Sequence, residues 1–353
     1  MSGTVELLQK MNETADWAYT PLLAVCIPTH NRREALEECL KSVLPQADAL
    51  GVGVCVSDNG SSDGTWQALE TLKRQYPWMQ IMRHTRDIGF RDNLTGAVLS
   101  SRAHYVWPIG DKLVLLPGAL EYVVSELVRL HPDAVVVNSP IQGVSTVEKV
   151  YSAPQLCLTE LGWYITLCGA TVLPRQAWID VLHVQPLSRD FPQVTAFFSY
   201  LASLGAPRVL FSGRVLIQVG KSASEYHVES SAADRRIETW GRNLYDTVMS
   251  LPALYSANDK LQMVRSFSEH TEFLSLVGLV KMRVQGQLTL QRLNAEQVLL
   301  RAIMPAPWWA AVVISVVPRW MLRPLMGVHP RLMLRAMRRR LRFPSRQLRR
   351  AAH

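Results

Sequence analysis

Short apolar segments alternate with segments of helical periodicity along residues 22–140. The apolar segments "LLAVCI", "VGVCV" and "DAVVV" carry hydrophobic side chains at successive positions, which is typical of strands buried on both faces. Between the first two, "REALEECLKSVL" places Leu36, Leu40 and Leu44 on one helical face. This alternation predicts an α/β fold in which helices cover both faces of a mostly parallel sheet. After Pro140 the pattern is less regular, with "WYITLCGATVL" and "PRVLFSGRVLIQVG" predicted to be strands, and from about Ala232 it indicates helices.

Polar residues follow three of the predicted strands at the point where each strand ends. They are "PTHNR" after the first strand, "SDNGSSDGT" after the second strand, and "GDK" at the end of "HYVWPIG", which is predicted to be the fourth strand. In open α/β sheets a ligand binds beyond the carboxyl ends of the strands, so these segments are predicted to line one pocket. Ordinary turns are the alternative, because Asn, Asp, Ser and Gly are common turn residues. Asp63 is predicted to be the N-cap of the helix that follows it.

Composition excludes several classes of protein. The chain of 353 residues is 48% hydrophobic, which indicates a globular protein. Five cysteines without clustered spacing favour a reducing cytosol over a disulfide framework and offer no metal-binding pattern. The N-terminus has acidic residues and no long apolar core, so it is not predicted to be a secretory signal. The G-x-G of "GVGVCV" precedes a strand and GxxxxGK[ST] does not occur in the sequence, which excludes a dinucleotide-binding turn and a P-loop.

Four segments, in order, resemble the motifs of family 2 glycosyltransferases: "VCIPTHNRREALEECLKSVLPQ", "VSDNGSSDGTWQAL", "RDIGFRDNLTGAV" and "YVWPIGDKLVLLPGAL". They are most similar to the abequosyltransferase-like branch, which attaches sugars to lipid-linked bacterial polysaccharide precursors. The resemblance covers about residues 22–140. It implies a GT-A fold, in which one nucleotide-binding sheet carries the acceptor half on its C-terminal side. The helical C-terminal region is predicted from the helical spacing alone.

We therefore expect four regions in the chain. They are an N-terminal extension (1–21), a GT-A domain (22–225), a helical region (226–304) and an apolar, Arg-rich tail (305–353). Within the GT-A domain, residues 22–140 are expected to bind the nucleotide-sugar and residues 141–225 the acceptor.

The resemblance also implies which residues contact the nucleotide-sugar donor. At the motif positions these are Pro28, Thr29, Asn31, Arg32, Asp58, Asn59, Arg91, Asn93 and Asp111. Asp58 is expected to accept a hydrogen bond from the base, and His30 replaces a tyrosine that is common in the family. Arg91 is expected either to reach a phosphate or to point into solvent.

The family's acidic triplet after the fourth strand is usually Asp-Asp-Asp or Asp-x-Asp and binds Mg²⁺ or Mn²⁺. Here it reads Asp111, Lys112 and Leu113. Leu113 offers no oxygen ligand, so Asp111 is the candidate metal ligand of the triplet. Three interpretations stay open. Lys112 supplies the catalytic positive charge instead of the metal, Asp111 and the substrate phosphates still hold a metal, or activity has been lost.

An inverting transfer also needs a base that removes the proton of the acceptor hydroxyl. The family uses a carboxylate on the acceptor side, and Asp190 in "LSRDFPQV" is our candidate catalytic base. The alternative for Asp190 is a helix N-cap. Glu160 and Asp180 are the weaker candidates.

The net positive charge of the chain comes from its C-terminal residues. Residues 318–353 contain eleven arginines and no acidic residue, so the rest carries a formal charge of about −2 (+9 less 11). The apolar segment 303–326 is too short for a typical span and is expected either to pack in the core or to enter the membrane. Tryptophans followed by an Arg-rich amphipathic stretch favour adsorption to an anionic membrane surface over RNA binding.

Together these features predict a peripheral glycosyltransferase on the cytoplasmic face of the membrane. Its donor would be a nucleotide-sugar, and its acceptor a glycan or polyprenyl-linked saccharide in surface polysaccharide biosynthesis. The alternative is a non-catalytic protein of the same fold that binds nucleotide-sugars or glycans as a scaffold, because the metal motif is degenerate. Nucleic acid is not an expected partner.

Overall fold

The computed structural model describes residues 20–140, 147–222 and 237–327. These residues form ten strands: β1 (Leu23–Thr29), β2 (Gly53–Asp58), β3 (Gln80–Arg83), β4 (Tyr105–Pro108), β5 (Leu113–Leu115), β6 (Ala134–Asn138), β7 (Lys149–Tyr151), β8 (Thr171–Pro174), β9 (Val209–Val215) and β10 (Ile217–Val219). Eight of them make one sheet in the order β3-β2-β1-β4-β8-β6-β9-β7, and β5 pairs with β10 in a small antiparallel ribbon.

The first half of the large sheet is parallel, as the alternating pattern predicts. Strand β1 pairs in parallel with β2 on one side and with β4 on the other, and β2 pairs in parallel with β3. Strand β8 pairs antiparallel with both β4 and β6, whereas β6 and β9 run parallel. The chain therefore leaves β1 in one direction to build β2 and β3, and returns on the opposite side with β4. This topological switch point is where open α/β sheets bind ligands.

Four helices flank this first half: α1 (Arg33–Leu50), α2 (Thr65–Gln75), α3 (Phe90–Ser100) and α4 (Ala119–Leu130). Strand β1 is buried throughout, with Val25 and Ile27 in one hydrophobic cluster and Cys26 in a second cluster on the other face. The first cluster contains the apolar faces of α1 and α4, and the second contains Leu94 and Val98 of α3. Burial on both faces explains why the strand sequences are continuously apolar.

The remaining described residues are mainly helical. They include α5 (Pro154–Leu156), a π-helical turn (Cys157–Leu161), α6 (Gly162–Ile165), α7 (Arg175–Val184), α8 (Pro192–Ser203), a second π-helical segment (Ile237–Asn243), α9 (Leu244–Met249), α10 (Ala257–His270), α11 (Leu276–Val284), α12 (Leu290–Ala295), α13 (Gln297–Ile303), α14 (Trp308–Val316), α15 (Arg319–Leu322) and a 3₁₀ turn (Arg323–Gly327). Side chains of α10, α13 and α14 belong to the same hydrophobic cluster as those of β8 and α8. The C-terminal helices thus share the core of the sheet.

The structure confirms the predicted fold class and corrects two local predictions. The segment "WYITLCGATVL" was predicted to be a strand, but Gly162–Ile165 is helical and only Thr171–Pro174 joins the sheet. Asp63 is not the N-cap of α2, because that position is Gly64 in a left-handed conformation. The Asp63 carboxylate instead accepts hydrogen bonds from the backbone N–H of Thr65 and of Arg33, at the starts of both α2 and α1.

The apolar segment 303–326 packs on the helical region along one side. In α14, Ala310, Ala311 and Ile314 are buried, whereas Trp309 and Val313 are exposed. Across the three described ranges of the chain, none of the helices has both the length and the apolar character needed to cross a bilayer. The predicted Arg-rich stretch after Gly327 lies outside the described residues, as do residues 1–19 of the predicted N-terminal extension.

Candidate functional site

A cavity of about 620 Å³ opens at the switch point between β1 and β4. Its walls come from the ends of β1, β2 and β4, from the start of α3 and from the second π-helical segment. The lining residues are Pro28, Thr29, His30, Arg32, Asn59, Asp87, Gly89, Phe90, Asn93, Gly110, Asp111, Asp190, Thr239 and Trp240. The three polar strand ends predicted to form one pocket therefore do meet.

Asp111 is the most enclosed charged group in the cavity wall. It is 1% exposed, and its carboxylate oxygens accept hydrogen bonds from the last residue of β1 and from the segment that follows β1. Thr29 Oγ1 donates to Oδ2 at 2.9 Å, and Arg32 Nη1 donates to Oδ1 at 3.0 Å. A buried carboxylate needs such partners because desolvation destabilises its charge. Asp111 thereby fixes the Arg32 guanidinium at the cavity.

A second network joins the ends of β1 and β2 to the loop before α3. The backbone N–H of Asn59 donates to the carbonyl oxygen of Thr29 at 2.9 Å, and Nδ1 of His30 lies 2.8 Å from the carbonyl oxygen of Asn59. The Asn59 amide donates to Asp87, and its oxygen accepts the N–H of Ile88 at 2.9 Å. Asn59 therefore positions Asp87, a carboxylate in the wall that we did not predict.

Asn93 lies in the first turn of α3, and its side-chain amide nitrogen and amide oxygen differ in their hydrogen bonding. Its Nδ2 donates to the carbonyl oxygen of Thr29 at 3.2 Å. Its Oδ1 is buried, is without a hydrogen-bond partner among the residues described, and belongs to a side chain that lines the cavity. An unpaired buried acceptor is costly, and a ligand that donates a hydrogen bond would remove that cost.

Asp58 was predicted to contact the base but does not line the cavity. It is fully buried at the end of β2, where Oδ1 accepts the backbone N–H of Ser61 at 3.1 Å. Oδ2 lies 3.4 Å from Nε of Arg83. The geometry gives Asp58 a structural contact that shapes the turn after β2, and it places Asp87 rather than Asp58 at the cavity surface.

Asp190 lines the cavity from the acceptor half, as expected for a base. The N-cap of α8 is Phe191, and the Asp190 carboxylate accepts a hydrogen bond from Nδ2 of Asn243 at 2.5 Å. The weaker candidates are engaged elsewhere. Glu160 pairs with Lys149 at 2.7 Å, a contact that lowers the pKa of its carboxyl, and Asp180 accepts a hydrogen bond from Gln176.

Three other predicted residues lie outside the cavity lining. Asn31 accepts the backbone N–H of Ser62 at 2.8 Å and adopts a left-handed backbone conformation. Arg91 donates to its neighbour Asp92 at 2.7 Å, and this hydrogen bond raises the pKa of the guanidinium. Lys112 follows Asp111 in the chain, where its carbonyl oxygen accepts the N–H of Gly220 at 2.9 Å. This contact involves only the backbone of Lys112, so its role as the positive charge that faces a donor stays a prediction.

A divalent metal does not fit the residues that the family's motif would use. In the part of the chain that the structure describes, no group of three or more His, Cys, Asp or Glu side chains could hold an ion. Leu113, in the third position of the triplet, is a buried hydrophobic residue. Asp111 is already paired with a guanidinium, whose charge repels a cation.

Known sequences are similar to the part of the chain that contains the cavity. The family model "Glycosyl transferase family 2" matches residues 24–172. The abequosyltransferase of Salmonella typhimurium is 34% identical over 101 residues, which cover 28% of this chain and 30% of that protein. The dolichol-phosphate mannosyltransferase of Pyrococcus furiosus is 30% identical over 100 residues, covering 28% of this chain and 26% of that protein. The chain thus matches about a third or less of the length of these relatives.

Comparison with solved structures supports the same assignment at the level of the fold. Residues 1–349 of TarS from S. aureus superpose with a TM-score of 0.54 at 16% identity, covering 80% of each chain. A mannosyltransferase from Pyrobaculum calidifontis, solved with GDP-Man and Mn²⁺, gives 0.53 at 14% identity, covering 95% of this chain and 91% of that one. Residues 24–172 therefore match the family 2 glycosyltransferase model, the solved structures support a GT-A fold, and the predicted resemblance is confirmed.

Proposed function

We propose that the protein transfers a hexosyl or deoxyhexosyl group from a nucleotide-sugar to a hydroxyl of a glycan or lipid-linked saccharide. The observation that carries this proposal is the cavity at the switch point, which brings a fixed arginine, an open amide oxygen and Asp190 together. A nucleoside diphosphate needs a positive group beside its phosphates, and an acceptor hydroxyl needs a base. This cavity offers both from opposite halves of the domain.

The chemistry can be written with the residues in the wall. Asp190 takes the proton of the acceptor hydroxyl while the hydroxyl oxygen forms a bond to the anomeric carbon. The bond from that carbon to the diphosphate oxygen breaks, and the leaving nucleoside diphosphate keeps the electron pair. Attack from the face opposite the leaving group inverts the anomeric centre. A preorganised cation beside the diphosphate lowers the barrier, because negative charge grows there in the transition state.

Relatives support the donor class in this proposal. A structure of TarS contains UDP-GlcNAc, and the Pyrobaculum mannosyltransferase contains GDP-Man. The name of the Salmonella relative gives its activity as abequosyl transfer. We extend this to a role in bacterial surface polysaccharide biosynthesis, of the lipopolysaccharide O-antigen type, with a polyprenyl-linked saccharide as acceptor.

A lipid-linked acceptor would require the enzyme to work at a membrane surface. Helices α14 and α15 and the residues between them leave several apolar side chains exposed, and we name this set the α14 face: Trp309, Val313, Val316, Trp320 and Met321. The residues that follow Gly327 in the sequence include nine arginines and no acidic residue. Tryptophans and arginines suit the headgroup region of an anionic bilayer, so we propose peripheral attachment to the cytoplasmic face of the membrane.

A non-catalytic scaffold that binds nucleotide-sugars is the second candidate, and Leu113 in place of a metal-binding carboxylate favours it. Turnover separates the two candidates. Purified protein is incubated with UDP-, GDP-, dTDP- and CDP-sugars, and released nucleoside diphosphate is measured with and without a saccharide acceptor. Release from one donor that is lost in Asp190→Asn supports the transferase. Donor binding without release supports the scaffold, and no binding of any nucleotide-sugar contradicts both.

A further inference from the structure

We infer that this site handles the donor diphosphate without a divalent metal, and that the Arg32 guanidinium held by Asp111 supplies the positive charge. The inference rests on the proposed function, because it concerns how the same cavity takes a nucleotide-sugar. It departs from the metal use that the family resemblance implies.

The first argument is the state of Asp111, the acid that remains from the metal motif. Its two oxygens are engaged by Thr29 at 2.9 Å and by Arg32 at 3.0 Å, and its side chain is 2% exposed. A metal at this carboxylate would have to displace a charged hydrogen bond or share the carboxylate with a guanidinium close by. Hard cations such as Mg²⁺ require several oxygen ligands, and the third position of the triplet offers only Leu113.

The second argument is the geometry of Arg32 itself. One of its N–H groups is donated to Asp111, while 44% of the side chain is exposed and the residue lines the cavity. A guanidinium carries five donors in a planar fork that matches phosphate oxygens. Because Nη1 is already held by a buried carboxylate, the remaining N–H groups can bind a phosphate in the cavity with little further loss of side-chain conformational entropy.

The third argument is charge balance. Two carboxylates and a divalent cation sum to zero net charge, and so do Asp111 and Arg32. Arg32 is also the N-cap residue of α1, an 18-residue helix, and the macrodipole of that helix places a partial positive charge at its N-terminus, beside Arg32. The local charge that meets a diphosphate is thus the same as in a metal-loaded motif, but it is built from the protein alone.

The test is calorimetry of nucleoside diphosphates (UDP, GDP, dTDP and CDP) on the full chain, with chelator and with Mn²⁺. We expect one of them to bind, with an affinity that agrees within about twofold between the two conditions. Arg32→Gln should weaken binding roughly 10- to 100-fold in both, as for the loss of a hydrogen bond to a charged group. Arg33→Gln is the matched control, because Arg33 is the next arginine, pairs with Glu37 and is outside the cavity lining; its affinity should equal wild type.

Removal of Arg32 leaves Asp111 buried without its cation, which can unfold the protein. The double variant Arg32→Gln, Asp111→Asn keeps the net charge and the hydrogen-bonding capacity, and should therefore fold and still bind weakly. Lys112→Ala should bind as wild type. If Lys112→Ala weakens binding as much as Arg32→Gln does, the positive charge has been assigned to the wrong residue.

The inference and the proposed function fail in different ways. If a nucleoside diphosphate binds only with Mn²⁺, or if Arg32→Gln and the double variant both bind as tightly as wild type, the metal-free inference is overturned and the transferase proposal stands. If none of the four nucleoside diphosphates binds under either condition, the proposed function itself fails.

Discussion

Asn93 has a buried side-chain oxygen that is unpaired within the described part of the ligand-free protein, and we expect a bound donor to satisfy it. Its side chain is 2% exposed, and its Oδ1 has no hydrogen-bond partner among the described residues. Its Nδ2 donates to the Thr29 carbonyl oxygen, which also accepts the N–H of Asn59. That carbonyl oxygen would therefore keep one hydrogen-bond partner if the Asn93 amide were removed. The cost of the open acceptor is therefore expected to be recovered when the donor binds.

We expect Asn93→Leu to leave the free energy of unfolding unchanged or slightly higher, since it removes an unsatisfied buried acceptor. The affinity for the donor should fall about tenfold, because a ligand donor loses its partner. Denaturant unfolding and calorimetry measure the two effects. A variant that unfolds readily but binds normally would show that Asn93 is structural.

Asp190→Asn tests the candidate base at the same scale. We expect kcat to fall about 100-fold or more while donor binding is unchanged, because general-base contributions are of that size and the donor phosphates meet Arg32 instead. Asp180→Asn is the control, since Asp180 pairs with Gln176 on α7. Equal losses in the two variants would exclude Asp190 as the base.

The motifs anticipated that Thr29, Arg32, Asn59, Asn93 and Asp111 come together, since all of them line the cavity, while their contacts with a donor stay predictions. Asp58 and Lys112 belong to the same motifs but do not line the cavity, and their predicted roles stay predictions, because a motif fixes the backbone position but not the side-chain partners. Asp87 was missed although it lies in "RDIGF", since its position depends on Asn59, which is distant in sequence.

At the scale of elements, Asp63 ties the start of α1 to the start of α2. Its carboxylate accepts the N–H groups of Arg33 and Thr65 at 3.0 and 3.1 Å. Burial would raise the pKa of Asp63, but the hydrogen bonds from Thr65 and from the Arg33 backbone outweigh it and lower that pKa below its usual value. Such a shift stabilises the fold above the unfolded-state pKa and is lost as the pH falls through the folded-state value.

We expect Asp63→Ala to lower the free energy of unfolding by about 1 kcal/mol at neutral pH, the size of a lost helix cap. This difference from wild type should start to shrink as the pH falls below the unfolded-state pKa of about 3.9, and it should vanish below the lowered folded-state pKa, where the carboxyl is protonated in both states. Urea unfolding of both proteins over a pH series measures it. A difference that persists unchanged at low pH would contradict the assigned contact.

Gly60 controls how close the loop before α3 comes to the end of β2. It has a φ of 73°, and an added Cβ would lie 2.9 Å from the carbonyl carbon of Arg86. We expect Gly60→Ala to cost about 2 kcal/mol of stability and to weaken donor binding, because the loop carries Asp87 and Gly89 in the cavity wall.

Gly51→Ala is the matched control for that loss. Gly51 has a φ of 63°, but a Cβ there meets nothing within 4 Å. It should show the backbone cost alone, about 1 kcal/mol, with normal binding. If both variants bind the donor normally, the Gly60 contact does not shape the site.

At the scale of the whole molecule, the exposed apolar residues of the α14 face are followed in the sequence by an Arg-rich C-terminal segment. Trp309 is 59% exposed and Trp320 is 71% exposed on the α14 face, next to the start of the Arg-rich residues. We expect the full chain to sediment with phosphatidylglycerol vesicles and not with neutral ones, and Trp309→Ser with Trp320→Ser to weaken this roughly tenfold. Val298→Ser, an exposed apolar residue on α13, is the control. Binding that is equal for all variants would contradict the α14 face.

The parallel half of the sheet was predictable because its strands and helices are local and strictly patterned. The second half was not, because β7, β8 and β9 pair with strands far away in sequence, and strands as short as β5 and β7 carry little pattern. The apolar segment 303–326 could not be assigned from composition alone. Its division into a buried and an exposed face depends on α11 and α12, against which α14 packs.

The most direct measurement is a crystal structure of the protein with its nucleotide-sugar, grown in the presence of chelator. The account predicts the diphosphate in hydrogen-bond contact with the Arg32 guanidinium, with Asn93 Oδ1 accepting a hydrogen bond from the ligand and Asp190 on the acceptor side. A donor that binds outside this cavity, or that occupies it only when a metal bridges Asp111 and the phosphates, would contradict the account.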